Sequence, residues 1–461
     1  MGRAHTVVLQ EALATARLAG PLVVSQLSQL GMGFTDTVMA GHIGPRDLAA
    51  VAMGTSLWLP VHLACIGTMM ALSPTVAQLV GAGHASGVRY WFRQALWLAI
   101  ALGGLAWAGV THIGAIMPWL AIDPAIVPIT REYLSAVAWG MPAGCLYLAP
   151  RFLSEGVGNT RPIMYVQLAA LGVNAIGNYL FMYGGLGLPA MGAVGAGWST
   201  ALVLTLNAVA LSAYVTTSGV YRGLALGRRV EAPSSRAIAG LLRLGMPIAA
   251  TMVMEIGLFT AVTLLMGRIG AVAVAAHQVA LNYAALMFMI PLGLSMGMTI
   301  RVGQIIGAEM PERARLAGVV GMAMAVSVMV LSALVMVVVP ERIAAMYTSD
   351  PEVAALAVEL LMFAALFQVS DGLQVSAVGA LRGLKDTARP MLITFIAYWL
   401  LGLPLAWALG LQGGLGPPGL WVGLVVGLTV AAVLLTWRFH RLSAYRIRHG
   451  AGPQSPARSP R

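Results

Sequence analysis

The feature that most constrains this chain is a succession of long apolar runs. Read between polar breaks there are twelve, near residues 18–40, 48–71, 92–118, 128–150, 162–183, 192–215, 240–266, 272–298, 316–339, 354–378, 390–411 and 418–437. A helix of about 20 apolar residues crosses the hydrocarbon core of a bilayer. Only helices and closed barrels satisfy their backbone polar groups inside lipid. Runs of this length and number predict an all-α polytopic membrane protein of twelve transmembrane helices. The composition agrees: residues are 59% hydrophobic and only 9% charged, where a soluble domain carries roughly 25% charged residues. The first run continues past signal-peptide length with no small-residue cleavage site, so it reads as a first span.

The net charge of +11 does not point to nucleic acid, because the basic residues are spread over short loops. With both termini placed in the cytoplasm, 23 of the 27 basic residues fall on the inside, and only Arg46, Arg131, Arg268 and Arg342 fall outside. That asymmetry fixes the orientation and supports an even span count. Cys65 and Cys145 both lie within apolar runs and form no disulfide or metal pattern; they read as packing residues. No phosphate-binding glycine loop followed by Lys and Ser or Thr occurs, which argues against a nucleotide-driven pump. No nucleophile–base pair stands out, so no enzyme is expected.

The chain then repeats itself. "GPLVVSQLSQLGMGFTDTVMAGHIG" (20–44) lies over "MPIAATMVMEIGLFTAVTLLMGRIG" (246–270) at an offset of 226, and the same offset lays "TVAQLVGAG" (75–83) over "RVGQIIGAE" (301–309). "EGVGNTRP" (155–162) matches "RGLKDTARP" (382–390) to within two residues. The longest polar stretch, 219–239, divides the copies. The expected organisation is an N-lobe over 1–218 (helices 1–6), a cytoplasmic linker over 219–239, a C-lobe over 240–440 (helices 7–12) and a basic cytoplasmic tail over 441–461. Parallel six-span repeats related by a pseudo-two-fold axis along the membrane normal are a transporter architecture, with a binding site expected between the halves.

Of the 16 acidic residues, three fall deep inside apolar runs: Asp36, Glu255 and Asp371. Intramembrane carboxylates are expensive and tend to mark ion or substrate pathways. The repeat aligns them with Val262, Gln29 and Gly144, so neither copy of the fold demands an acid there. Asn174 and Asn178, four residues apart, share one helix face and could satisfy the lone pairs of Asp36. Gln368 and Gln374 flank Asp371, and Phe367 lies one turn before it. Such carboxylates can carry a proton, hold Na⁺ or attract an organic cation. His62 reads as a hydrogen-bonded helix residue.

"TDTVMAGHIGPRDLAAVAMG" (35–54), "AAHQVALN" (275–282), "IRVGQIIG" (300–307) and "GALRGLKDTARP" (379–390), in this order together with the three acids, resemble the NorM branch of the multidrug and toxic compound extrusion (MATE) family over roughly residues 10–440. The resemblance implies two six-helix lobes around a central cavity and secondary antiport, in which H⁺ or Na⁺ enters as cationic amphipathic compounds leave. It implies an N-lobe cation pocket of Asp36, Asn174 and Asn178. It places the C-lobe cation site at Glu255 and Asp371, which would hold Na⁺, with Phe367, Gln278 and Asn282 as further pocket residues. The family often has a tyrosine where this chain has Phe367. The lost oxygen leans the coupling ion toward H⁺.

The resulting expectation is a cation-coupled multidrug exporter, and so a determinant of antibiotic resistance, in the inner membrane of a bacterium. It would work by alternating access, need no cofactor beyond H⁺ or Na⁺, and act as a monomer on small organic cations within the lipid bilayer. A dedicated metabolite exporter or a lipid-linked precursor flippase would share the build. The flippase should line its cavity with basic residues, whereas the deep charges here are acidic. A passive channel is the alternative of a different class.

Overall fold

The computed structural model describes residues 2–120, 122–185, 187–226 and 231–449. Residues 227–230 of the expected linker and 450–461 of the expected tail lie outside them. Twelve long helices account for nearly all the described chain: α1 Gly2–Ile43, α2 Pro45–Gly81 with a turn at residues 70–71, α3 Ala85–Ile113, α4 Val127–Val157, α5 Arg161–Met182, α6 Ala193–Thr217, α7 Ser235–Ile269, α8 Ala271–Gly307, α9 Pro311–Val338, α10 Pro351–Gly383, α11 Ala388–Gln412 and α12 Gly416–His449. Eleven are long and apolar enough to cross a membrane. The other, α4, is long enough, but Tyr133, Gly140, Pro142, Gly144 and Tyr147 dilute its apolar character. Its residues are buried on most sides by protein rather than turned to lipid, so strong apolarity is not demanded of it.

The helices outrun the apolar cores read from sequence. At 1.5 Å per residue α1 is about 60 Å long, roughly twice the hydrocarbon thickness. Packing divides the described residues into two compact units, one of residues 1–23, 77–83 and 254–461, the other of residues 24–76 and 84–253. This division differs from one at the linker. The beginning of α1 and the end of α2 pack with second-half helices, and the first part of α7 packs with first-half helices. A helix this long meets different neighbours along its length.

In the unit containing 84–253, α4 is central and packs against α2, α3 and α6; in the other, α10 packs against α8, α9 and α12. Small residues at repeat-related positions make the close approaches. A Cβ on Gly67 would collide with the backbone of Ala249, and one on Gly293, 226 residues on, with Val23. Gly81 abuts the carbonyl of Gln304, while Gly307 abuts that of Gln78. The sequence repeat thus recurs as a repeat of backbone contacts, which only residues without a side chain permit.

The described ends of the linker are anchored. Gly219–Leu224 forms a short 3₁₀ helix. Arg93 of α3 pairs with Glu231 at 3.0 Å and donates to the Leu226 carbonyl at 2.9 Å; Gln94 donates to the Ala232 carbonyl at 3.0 Å.

Candidate functional site

The first cluster lies in the unit of residues 24–76 and 84–253. Asp36 on α1 is half-buried. Its Oδ1 accepts hydrogen bonds from Asn174 Nδ2 at 3.0 Å and Asn178 Nδ2 at 2.6 Å. Both asparagines are buried on one face of α5, as their spacing requires. Ser199 of α6 braces this helix by donating to the Asn174 carbonyl at 3.1 Å, and Tyr183 donates to the Met39 carbonyl one turn past Asp36 at 2.8 Å. Two amide donors converging on one oxygen offset the cost of a carboxylate in a membrane helix. The two amide oxygens of Asn174 and Asn178 are buried without a partner, so the cluster keeps unused acceptor capacity beside the acid.

The second cluster lies wholly in the other unit. Asp371, in the middle of α10, is 5% exposed, and its Oδ1 has no hydrogen-bond partner. Glu255 of α7 is half-buried and within electrostatic reach of Asp371 and of buried Arg382. Gln368 and Gln374 are buried on either side of Asp371. Gln368 Nε2 donates to the Ala284 carbonyl at 3.3 Å, and the Oε1 atoms of both glutamines lack partners. Phe367 packs edge-on against Phe259 and Trp421 at centroid separations of 5.9 and 5.8 Å. Gln278 is half-buried and Asn282 exposed on α8. Among the described residues neither is hydrogen-bonded to Glu255, Asp371 or the glutamines. Cys65 and Cys145 are buried free thiols.

Three polar groups escaped the sequence reading. Arg151 was expected in a loop after a span ending near 150, but α4 continues to Val157 and buries it. Arg151 Nε contacts Glu155 Oε1 at 3.2 Å and its Nη2 donates to Gln26 Oε1 at 3.2 Å, so the opposite charges neutralise each other inside the unit. Their i, i+4 spacing was the available signal. Glu11 precedes the first apolar run in the sequence, yet it is completely buried. Arg301 grips it through two bonds of 2.8 and 2.9 Å, and Arg313 through one of 2.5 Å. Tyr398, in an apolar run, is completely buried with its hydroxyl unpartnered, within electrostatic reach of Glu255 and Asp371. His62, expected to be hydrogen-bonded, leaves Nδ1 buried without a partner and rests its ring near Trp58 at 5.6 Å.

Twelve membrane-length helices and buried acids on helices of two compact units define the class, a polytopic membrane transporter. The family is equally plain: the MatE family model matches residues 21–180 and 247–408, and the chain belongs to that family, the MATE transporters. It is 43% identical over 443 residues to Multidrug resistance protein PmpM of Pseudomonas aeruginosa, covering 94% of this chain and 91% of that one. It is 44% identical over 444 residues to Probable multidrug resistance protein NorM of Xanthomonas campestris pv. campestris, covering 96% of each. Its fold is like that of a MATE transporter solved in complex with MaD3S, with a TM-score of 0.87 over 95% of this chain and 97% of that one at 19% identity.

Proposed function

We propose that the protein exports structurally diverse cationic, amphipathic drugs, driven by inward movement of H⁺ or Na⁺. Membership of a transporter family and 43–44% identity to relatives named as multidrug resistance proteins support the substrate class. The observation that carries the coupling half is the Asp36 cluster: a carboxylate in a membrane helix, held by two buried amides and flanked by unused acceptor oxygens. In this reading Asp36 takes the driving proton, while Glu255 and Asp371 bind an ion and attract cationic substrate. Ion loading changes hydrogen bonding within a unit, and alternating access converts that change into drug release. Drug and ion must then disfavour each other's binding in at least one state. The bacterial inner membrane, with both termini cytoplasmic, is the expected setting, since the basic residues gather on that side.

The test is efflux of a fluorescent cation from proteoliposomes under separate pH and Na⁺ gradients, with Asp36→Asn and Asp371→Asn. Uphill efflux under one gradient is the expected outcome, and it excludes a passive channel. Full gradient-driven export by Asp36→Asn would remove Asp36 as the coupling site.

A further inference from the structure

The stretch Ile396–Gly402 of α11 is π-helical and carries Tyr398 and Trp399. Wide turns of this kind recur at functional positions, where they re-aim side chains that a regular helix would place elsewhere. Trp399 Nε1 donates to the Met254 carbonyl at 3.3 Å, and a Cβ on Gly257 would press on its ring. The indole therefore grips α7 on both sides of Glu255. Tyr398, next in the chain, is 0% exposed, and its hydroxyl has no hydrogen-bond partner. It lies within electrostatic reach of both Glu255 and Asp371.

Buried polar atoms are seldom left unpartnered. Such atoms lie on the two helices concerned, among them Asp371 Oδ1 and Gln374 Oε1 on α10, and Thr394 Oγ1 and Tyr398 Oη on α11. All four can accept: the carboxylate and amide oxygens only accept, and the hydroxyls accept as well as donate. A proton or a cation can therefore engage every member of such a set, whereas an anion or an apolar group cannot. Phe367, one turn before Asp371, brings a ring without an oxygen and spends it on Phe259 and Trp421.

We propose that Tyr398 Oη is the third oxygen of the coupling-ion site formed by Glu255 and Asp371, its lone pair accepting the acid proton or coordinating Na⁺. The phenol comes from α11 rather than from position 367, and Trp399 keeps Glu255 in register with it. This rests on reading Glu255 and Asp371 as an ion site. It also removes the force of Phe367 as an argument for H⁺, because the missing oxygen is supplied by another helix.

The test uses the purified full chain in nanodiscs with ethidium as the cationic probe. Bound ethidium is displaced by adding Na⁺ at fixed pH and by adding acid at fixed Na⁺. Tyr398→Phe keeps the ring and removes only an unpartnered hydroxyl, so it should fold as the parent does, which thermal unfolding checks. The variant should need about tenfold more of the displacing ion, the scale of one hydrogen bond or ligand, with ethidium affinity unchanged when that ion is absent. A parental displacement midpoint, or a loss of ethidium affinity with an unmoved midpoint, would overturn the assignment. Glu255→Gln combined with Asp371→Asn separates the two readings. If that pair leaves the parental midpoint unmoved, the ion site itself is misplaced; if it moves the midpoint and Tyr398→Phe does not, only the role of Tyr398 falls.

Discussion

Lys385 is the only lysine in the chain, so its titration can be read without ambiguity from other lysines. It sits in the turn between α10 and α11 on left-handed backbone, φ 57°, with its side chain half-buried. The adjacent carboxylate of Asp386 is engaged by Arg438 Nε at 2.8 Å, and Arg446 donates to the Leu384 carbonyl at 2.8 Å. Burial, and then the like charge of Arg446, pull the amine down from its ordinary 10.5 to about 8. At 1.36 kcal/mol per unit the ammonium costs the folded protein about 3 kcal/mol, or nearer 2 once its partial exposure is discounted. The sign follows from proton binding. Between about pH 8 and 10.5 the unfolded chain holds a proton that the folded chain has released, so wild-type stability rises with pH across that window. Below about pH 8 the folded protein bears the whole penalty. Amine-directed labelling of the purified protein from pH 6.5 to 11, with recovery of the Lys385 peptide, should give a midpoint near 8. Lys385→Met should raise stability at pH 7 by about 2 kcal/mol, with the gain fading from about pH 8 and gone above about pH 10.5. A labelling midpoint at or above 10, or a destabilised Lys385→Met protein at pH 7, would refute the reasoning.

Three other outcomes follow from the packing. Asn178→Ala removes the shorter of the two donors to Asp36, worth about 1.5–3 kcal/mol on an ionised acceptor. Ion-driven drug export in proteoliposomes should fall at least about tenfold, with a smaller loss for Asn174→Ala; full activity in both would dissolve the cluster. Glu11→Gln should cost about 2 kcal/mol in detergent unfolding, since Arg301 and Arg313 are left without their carboxylate. Double-mutant cycles should give Arg301, with a side chain 21% exposed, a larger coupling to Glu11 than Arg313 at 45%; the reverse order would count against it. Gly81→Val and Gly307→Val should each prevent recovery of folded protein in size-exclusion chromatography, because any Cβ there meets a carbonyl oxygen; monodisperse protein from either would show that the helices can part.

What could be read in advance followed from local or periodic signals. A run of about 20 apolar residues demands a span whatever surrounds it, so the twelve helices were legible. Asp36 and the Asn174–Asn178 pair were legible because an isolated charge needs partners and two amides at i, i+4 offer them on one face. The reading failed where pairing is remote in sequence. Glu11 and Arg301 are 290 residues apart, and nothing near either residue announces the other. Arg151 and Glu155 looked like the end of a span because a hydropathy scale counts each charge alone, whereas the pair enters the interior partly neutralised. Tyr398 failed for a related reason. Tyrosine in an apolar run reads as packing, and the π-helical turns that aim it are not a periodicity to be found by counting 3.6 residues. The repeat had a different limit. It aligns Gly67 with Gly293 and Gly81 with Gly307, and in the structure all four sit at close helix approaches. It could not forecast how the chain divides, because a repeat records the order of segments and packing records their neighbours. Helices longer than the membrane is thick can obey the repeat and still begin in one unit and end in the other. That explains why the acids break the repeat while the glycines keep it. Glycines serve backbone contacts that both halves must make. Asp36 serves one half, and Glu255 and Asp371 the other, so the two clusters are free to differ in ligands and in the ion or proton they handle.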